Sequence, residues 1–412
     1  MLERRQFLKS TMAALSGAAL SGSAILAVPR RSRAAAKPLR IGVLTDLSSW
    51  GREVSGLGSI EATKMAVEEF GSEVLGRKIE VVSADHQMKP DIGLSIAREW
   101  FENEGVESIV DVPNSAIGLA VHGLAREKNK IALLSGAGSS EITNKLCSPN
   151  TVHFTYDTYA LAKVTASAIA KERGTSWFFI TADYAFGHQL EADATRFIKE
   201  AGGTVVGGIH HPTGTTDFAS FLLQAQSSNA NVIALANAGA DAVTCLKQAG
   251  EFGIAQGGQR LAALLLFDGE VHAVGLKAAQ NTYLTTASYW NMTPETRAWS
   301  KGFFPRTNVM PNMIHTGCYG ATLHYLKAVA SAGTVEAGVV MQKMRELPVH
   351  DAFLKSGILR ADGRVIRDMY LARVKKPEES TESWDILDIV RTVKGEDAYR
   401  PVSESACPLL RN

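Results

Sequence analysis

The sequence lacks the short motifs that mark most catalytic and nucleotide-binding centres. It contains no GxSxG nucleophile elbow, no HExxH zinc motif, no GxGxxG fingerprint and no GxxxxGK[ST] phosphate loop. It also lacks a basic run of the kind that binds nucleic acid. These absences disfavour nucleotide-dependent enzymes, zinc hydrolases and nucleic-acid-binding proteins, so we expect no cofactor, no metal site and no nucleic-acid partner.

Cysteine is scarce, with four residues in a chain of 412 and no CxxC pair. Cys245 and Cys318 lie within apolar helical patterns, where a buried free thiol is expected. Cys147 and Cys407 each lie beside Ser and Pro in loop-like segments, and an oxidising compartment would permit a disulfide between them. We predict that disulfide, with two unpaired loop thiols as the alternative.

Long apolar runs are also missing. Residues 12–28 are too mildly apolar for a membrane-spanning helix, which needs about 20 strongly apolar residues. They follow the segment ERRQFLK and precede three alanines at 34–36, the layout of a twin-arginine export signal. We predict a signal peptide over residues 1–36 and a mature chain that begins near Lys37 in a bacterial periplasm. Residues 1–36 hold six Arg or Lys and one Glu, so the formal charge of +1 becomes −4 without them.

What the sequence does contain is a repeated strand–loop–helix pattern. The first unit covers residues 39–70, and three more units follow before residue 149. The pattern then restarts, with strands predicted at 176–181, 203–209, 231–236 and 261–267. Helices from residue 294 onward (294–303, 320–332 and 339–347) and a strand pair (364–374 and 384–393) complete the chain. This pattern predicts an α/β fold with two Rossmann-like lobes, each built on a parallel, doubly wound sheet.

Small polar, aromatic and acidic residues follow the predicted strands, at the sheet edge where ligands bind in open α/β folds. The set is Ser48, Ser49, Trp50, Asn114, Ser115, Gly138, Ser139, Ser140, Tyr184, Phe186, Asn237, Asp241, Asp268 and Glu270. Trp50 can cover a ligand or pack as part of an ordinary surface loop, and the sequence leaves both open. The adjacent His210 and His211 are read as an exposed pair at a strand end rather than as a metal site. A secreted hydrolase using Ser139 or Cys147 is the enzymatic alternative, but no partner base is evident.

Four segments occur in an order that is similar to one protein family: DLSSWG, SGAGSSEIT, TADYAFGHQLE and LKQAGEFGI. The chain resembles periplasmic binding proteins of the Leu/Ile/Val-binding type, which are the solute receptors of ABC importers. This resemblance implies the type I fold, with two lobes joined by a three-segment hinge. Lobe 1 would comprise residues 37–154 and 288–367, and lobe 2 residues 155–287 and 368–412.

The resemblance also implies a ligand site, a partner and a role. Trp50 would cover the ligand, Asp268 or Glu270 would meet its far end, and Phe186 and Gly239 replace tyrosines of amino-acid binders. Tyr289 or Trp290 could add a further ring. The groups expected to hold a ligand carboxylate are Ser115, Ala116, Ala137, Gly138 and Ser139.

These features predict a monomeric, non-enzymatic binding protein that serves an inner-membrane ABC permease. The expected ligand is an aromatic carboxylate or an amide-like compound. A branched-chain amino acid is the alternative ligand, and partnership with a membrane sensor is the alternative role.

Overall fold

Two parallel sheets carry the fold in the computed structural model, which describes residues 37–172 and 176–411. The predicted signal peptide lies outside these residues. The first sheet has the order β2-β3-β1-β4-β5-β6, and all its neighbours are parallel except the pair β2 and β3. Its strands are β1 Leu39–Thr45, β2 Glu73–Val74, β3 Arg77–Asp85, β4 Val106–Asp111, β5 Ile131–Leu134 and β6 Thr151–His153. The helices between them are α1 Gly56–Phe70, α2 Pro90–Glu102 and α3 Ser115–Glu127.

The second sheet is fully parallel and has the order β10-β9-β7-β8. Its strands are β7 Ser176–Ala182, β8 Thr204–His211, β9 Val232–Ala236 and β10 Arg260–Ala263. Its helices are α4 Thr158–Leu161, α5 Ser167–Glu172, α6 Ala185–Glu200, α7 Ala219–Ser227, α8 Ala240–Glu251, α9 Asp268–Val274 and α10 Leu276–Ala279. A π-helical turn over Ala162–Ala166 connects α4 to α5.

The remaining elements form two small antiparallel sheets and a further helical layer. The sheets have the orders β11-β15-β16 and β12-β13-β14. Their strands are β11 Tyr283–Thr286, β12 Val349–Asp351, β13 Leu354–Leu359, β14 Val365–Ile366, β15 Met369–Val374 and β16 Leu387–Val393. The helices are α11 Pro294–Thr307, α12 Met313–Ala332, α13 Ala337–Glu346 and α14 Gly395–Ala398. Among the described residues, no helix combines the length and apolarity needed to cross a bilayer.

The long helix α12 packs closely against the first sheet and α1. A Cβ atom at Gly317 would come within 2.5 Å of Thr155 Cγ2, and one at Gly320 within 2.7 Å of the Phe154 ring. These two glycines lie on one helix face, because residues three apart are neighbours on a helix. Larger side chains there would push α12 away from the sheet, so the small residues set the depth of this layer.

Two buried arginines connect the segments where the chain passes between the sheets. Arg364 is fully buried and donates to the carbonyl oxygens of Thr155 (2.8 Å) and Tyr156 (3.3 Å). Arg367 donates to the carbonyl of Ala287 at 2.9 Å. A guanidinium carries five donors in a fixed plane, so one arginine side chain can satisfy several backbone carbonyls of these connecting segments.

The predicted fold class, an α/β fold with parallel sheets, is confirmed, but several predicted boundaries are wrong. The strand predicted at 261–267 ends at Ala263. The Leu264 N–H makes a last bond to Leu235 O, but the neighbouring β9 ends at Ala236, so the chain leaves the sheet and turns toward α9. The strand predicted at 364–374 is interrupted at residues 367–368, and the helix predicted at 320–332 begins at Met313. Strands β12 and β13 were not predicted, because they are short and pair only locally.

A disulfide joins Cys147 to Cys407, with a Cα–Cα distance of 5.6 Å, and so fixes the C-terminal segment to the first half of the chain. Cys245 and Cys318 are free and buried. A cross-link over 260 residues can contribute up to about 5 kcal/mol on the loop-entropy model.

Because two of the four cysteines are bonded to each other, we expect two free thiols per chain when the protein is denatured without reductant. Four free thiols would contradict the disulfide, and four after reduction are the control.

Candidate functional site

The loop after β1 is organised by one carboxylate. Asp46 is fully buried, and its side chain accepts hydrogen bonds from the N–H groups of Ser49 (2.9 Å) and Gly51 (2.8 Å). The Ser49 hydroxyl donates to the same carboxylate at 2.9 Å. Because Trp50 lies between these two anchored residues, its backbone is fixed at the carboxyl end of the first sheet.

Trp50 reaches across to the second half of the molecule. Its ring lies edge-on to the ring of Tyr184, with 5.6 Å between centroids, and its carbonyl accepts the Ala240 N–H at 3.2 Å. Gly239 has φ +67°, and a Cβ atom there would come within 2.8 Å of the Trp50 carbonyl oxygen. Only glycine combines that left-handed backbone with so close an approach. The two sheet edges therefore meet at Trp50 and Gly239.

A small cavity of about 20 Å³ lies between the edges. Its walls are mostly aromatic and aliphatic, and no lining side chain is charged. The lining residues are Trp50, Val54, Met88, Pro113, Ser115, Gly136, Tyr156, Tyr184, Phe186, Ala238, Leu265, Phe267 and Ile314. A volume of this size is close to that of one water-sized group. Binding sites for organic ligands are larger, typically about 300–1,000 Å³, so the two edges must separate to admit one.

Ser115 supplies a hydroxyl to the cavity wall. Its Oγ accepts the N–H groups of Gly138 (3.2 Å) and Ser139 (3.1 Å), which occupy both lone pairs of a hydroxyl. The hydroxyl proton is therefore available as a donor, and Ser115 is also the first residue of α3, at the positive end of that helix. This arrangement suits a carboxylate or carbonyl oxygen of a ligand.

Phe186 fits onto a glycine of the opposite edge. A Cβ atom at Gly138 would come within 2.7 Å of the Phe186 ring and within 2.9 Å of the Tyr156 ring. The ring of Tyr156 in turn lies 6.1 Å from that of Phe267, and its hydroxyl donates to Gly136 O at 2.7 Å. The cavity is thus bounded by rings that come from both sheets.

Three buried acids lie at the helix starts of the second half. Asp268 and Glu270 are in the first turn of α9, and Asp241 is in the first turn of α8. Burial raises the pKa of Asp268 and of Glu270 to about 8 and that of Asp241 to about 6. Glu270 Oε2 accepts the Phe267 N–H at 2.7 Å, while Glu270 Oε1 and Asp268 Oδ2 have no hydrogen-bond partner among the described residues. These acids suit a donor group, and Asp268 and Glu270 directly follow Phe267, which lines the cavity.

Comparison with known proteins shows which family the chain belongs to. A model of the family described as "Periplasmic binding protein" matches residues 38–380. This chain belongs to the periplasmic binding protein family. A solved periplasmic binding protein of Burkholderia mallei is 45% identical, with a TM-score of 0.88 over 90% of this chain and 99% of that one.

Two further relatives differ in how much of the chain they cover. A branched chain amino acid ABC transporter periplasmic ligand-binding protein of Burkholderia xenovorans is 38% identical, with a TM-score of 0.81, over 90% of this chain and all of that one. Leu/Ile/Val-binding protein homolog 6 of Brucella abortus is 27% identical over 164 residues, which are 39% of this chain and 41% of the relative. The match to the curated relatives thus spans about two fifths of their length.

The structure of this periplasmic binding protein brings some of the predicted site residues together. Four line the cavity: Trp50, Ser115, Tyr184 and Phe186. Gly138 lies against the Phe186 ring. These five follow four different strands, β1, β4, β5 and β7, which agrees with the expectation that strand ends converge.

Three predicted groups near the first sheet have structural partners instead. The Ala116 N–H donates to Asn114 Oδ1 at 2.9 Å, because Asn114 caps α3. The Ser139 Oγ accepts the Glu141 N–H at 3.4 Å, and the Ala137 carbonyl lies 2.6 Å from His153 Nε2. None of the three lines the described cavity, so their contact with a ligand stays a prediction.

Two predicted residues in the second half also lie away from the cavity wall. Asn237 is buried, with its Nδ2 at 3.3 Å from His211 Nε2. The Tyr289 hydroxyl donates to Trp384 O at 2.7 Å, as the Trp290 ring N–H does at 2.8 Å. The side chains of Tyr289 and Trp290 therefore hold the loop that contains Trp384 against the segment after β11.

Sequence reasoning missed several wall residues. Leu265 and Phe267 end the apolar run that was predicted as a strand, and Met88 lies in the turn after β3. Tyr156 precedes Asp157, which caps α4. The sequence did offer a signal for Phe267, because this residue directly precedes Asp268, which was already a candidate site residue.

The buried acids make stability depend on pH in a defined direction. An acid whose pKa rises on folding is protonated more readily in the folded state, so folding becomes less favourable as pH rises from about 4 toward 8. We expect Asp268→Asn and Glu270→Gln to gain stability relative to the unsubstituted protein between about pH 5 and pH 8, by up to a few kcal/mol. Urea unfolding at the two pH values measures this.

The exposed Glu251 offers a matched control, since Glu251→Gln should leave the pH dependence as it is. If Asp268→Asn and Glu270→Gln follow the same pH curve as the unsubstituted protein, the two acids are not held in the protonated form.

Proposed function

We propose that this protein is the extracytoplasmic solute-binding component of an ABC importer. The observation that carries the proposal is the meeting of the two sheet edges around an aromatic cavity, through Trp50, Tyr184 and Gly239. A site assembled from two halves can open to admit a small solute and enclose it on closure. The description of the Burkholderia xenovorans relative as an ABC transporter ligand-binding protein supports this role.

Export and partnership follow from the same proposal. The twin-arginine pattern in residues 1–36 would send the chain to the periplasm, where it would act as a monomer and deliver its solute to an inner-membrane permease. A ligand-sensing role beside a membrane receptor would use the same binding site.

We propose binding without turnover. Of the two nucleophiles considered for a hydrolase, Cys147 is engaged in the disulfide. The Ser139 hydroxyl oxygen accepts the Glu141 N–H. An assay of purified protein on amides and esters tests this, because product beyond one equivalent would require an enzyme.

The cavity favours a small ligand with a planar body. Five rings surround it: those of Trp50, Tyr156, Tyr184, Phe186 and Phe267. Flat ligands gain most from such walls, because stacked and edge-on ring contacts add about 0.5–1.5 kcal/mol beyond the area they bury. The Ser115 hydroxyl would meet a carboxylate or amide oxygen, and Asp268 or Glu270 would meet a donor at the far end. We therefore propose an aromatic carboxylate or amide-like ligand.

A branched-chain amino acid is the second candidate. The buried acids favour it, because an ammonium group would supply a positive charge, and no cation of the described residues acts on Asp268 or Glu270. The description of the Burkholderia xenovorans relative points the same way. The aromatic walls would then contribute less, since a branched aliphatic chain cannot stack on several rings.

A thermal-shift screen separates the two ligand classes. At a ligand concentration near 100 times Kd, binding should stabilise the protein by about 2.7 kcal/mol, which raises the melting temperature measurably. We expect aromatic acids or amides to shift the midpoint and leucine or valine not to do so. A shift with leucine or valine alone would select the second candidate.

Substitution of Trp50 locates the binding site. Trp50→Ala should abolish the ligand-induced shift, because it removes the ring that covers the cavity from the first sheet. Trp384→Ala is the matched control, since that ring stacks on His272, 4.1 Å away and outside the cavity lining. An unchanged shift in Trp50→Ala would place the ligand elsewhere.

A further inference from the structure

Four metal-ligating side chains gather at the edge of the second sheet, outside the cavity. Asp183 lies in the loop after β7, His188 and Glu191 lie in α6, and His210 lies near the end of β8. One ligand atom from each of Asp183, His188 and His210 lies within 4.8 Å of the others. All three residues are exposed to solvent.

The four side chains already form two close pairs. His188 Nε2 lies 2.8 Å from Asp183 Oδ1, and His210 Nε2 lies 3.1 Å from Glu191 Oε2. The two imidazole rings face each other edge-on, with 4.9 Å between centroids. The two pairs therefore lie side by side and present imidazole nitrogens and carboxylate oxygens within reach of one small ligand.

The fold explains the convergence. His188 and Glu191 are three residues apart on α6 and so share one helix face. Neighbouring residues of a strand point to opposite sides, so His210 faces α6 while His211 turns inward. His211 is fully buried, and its ring lies 4.8 Å from that of Phe218. The pair read from the sequence as two exposed histidines is therefore split, and only His210 joins the cluster.

The donor set matches a divalent transition-metal ion. Zinc binds His nitrogen and carboxylate oxygen at about 2.0–2.2 Å in a tetrahedral arrangement, which places its ligand atoms about 3.3 Å apart. The ligand atoms already lie within 4.8 Å of one another, and the side chains are about half exposed, so rotation about their side-chain bonds can bring them to that spacing. Imidazole nitrogen also suits Co²⁺, Ni²⁺ and Cu²⁺, and two carboxylates balance the charge of a divalent ion.

We propose that Asp183, His188 and His210 bind a divalent transition-metal ion, with Glu191 as the fourth ligand or as the group that orients His210. This site does not depend on the proposed transport function. It adjoins the ligand cavity through the backbone, because Asp183 directly precedes Tyr184, whose ring lines the cavity. A bound ion would join that loop to α6 and β8.

Calorimetric titration of ZnCl₂ and CoCl₂ into the untagged, chelator-treated protein tests the proposal. We expect one saturable site per chain. His188→Ala and His210→Ala should each weaken binding by roughly tenfold or more, and the double variant should show no saturable binding. Asp183→Asn should weaken binding as well, because it removes a charged ligand while keeping the shape of the side chain.

His350→Ala provides the matched control. His350 is also exposed, and its Nδ1 lies 2.9 Å from Lys355 O, so its loss should leave metal affinity unchanged. Melting curves without metal should show that all variants are folded, since the substituted side chains are at the surface. No saturable binding by the unsubstituted protein, or equal binding by the double variant, would overturn the site.

Discussion

The candidate site depends on the buried carboxylate of Asp46. It satisfies the N–H groups of Ser49 and Gly51, which would otherwise be unpaired at the end of β1. Trp50 is held between them, so its ring can meet Tyr184 and its carbonyl can approach Gly239. The two halves therefore meet here in two ways, through the backbone of Trp50, Gly239 and Ala240 and through the rings of Trp50 and Tyr184.

Much of the fold could be predicted because buried parallel strands and amphipathic helices leave clear patterns. The apolar run of β1 and the helical spacing in α1 define the first unit, and the repeat predicts the second sheet. The apolar pattern gave a wrong strand boundary after Ala263, because the chain stays buried there after it has left the sheet. Residues 264–267 are as apolar as a strand, but Leu265 and Phe267 line the cavity, and no local pattern distinguishes those two uses.

The candidate site could be predicted in part, for a related reason. Parallel strands of one sheet end at a common edge, which is enough to bring Trp50 and Ser115 together. Phe186 follows a strand of the second sheet, and that it meets them depends on how the two edges face each other, which no local pattern predicts. Side chains that cap a helix determine which backbone N–H groups remain free for a ligand. Asn114 accepts the Ala116 N–H, and residue spacing alone does not predict that bond. Long-range partners are equally hidden, as the bond from Tyr289 to Trp384 shows, because 95 residues separate them.

The central claim is that the two sheet edges close on a ligand through the close approach of Trp50 and Gly239. Small-angle X-ray scattering with and without ligand tests this claim most directly. The ligand is the compound that raises the melting temperature most, and the variants are Gly239→Ala and its control Gly214→Ala. Both glycines have positive φ, but Gly239 faces the Trp50 carbonyl, whereas no atom of a described, non-neighbouring residue lies within 4 Å of the Cβ position at Gly214. The account predicts that ligand lowers the radius of gyration of the unsubstituted protein and of Gly214→Ala, but not of Gly239→Ala. Contraction of Gly239→Ala to the same extent, or no contraction of the unsubstituted protein, would contradict it.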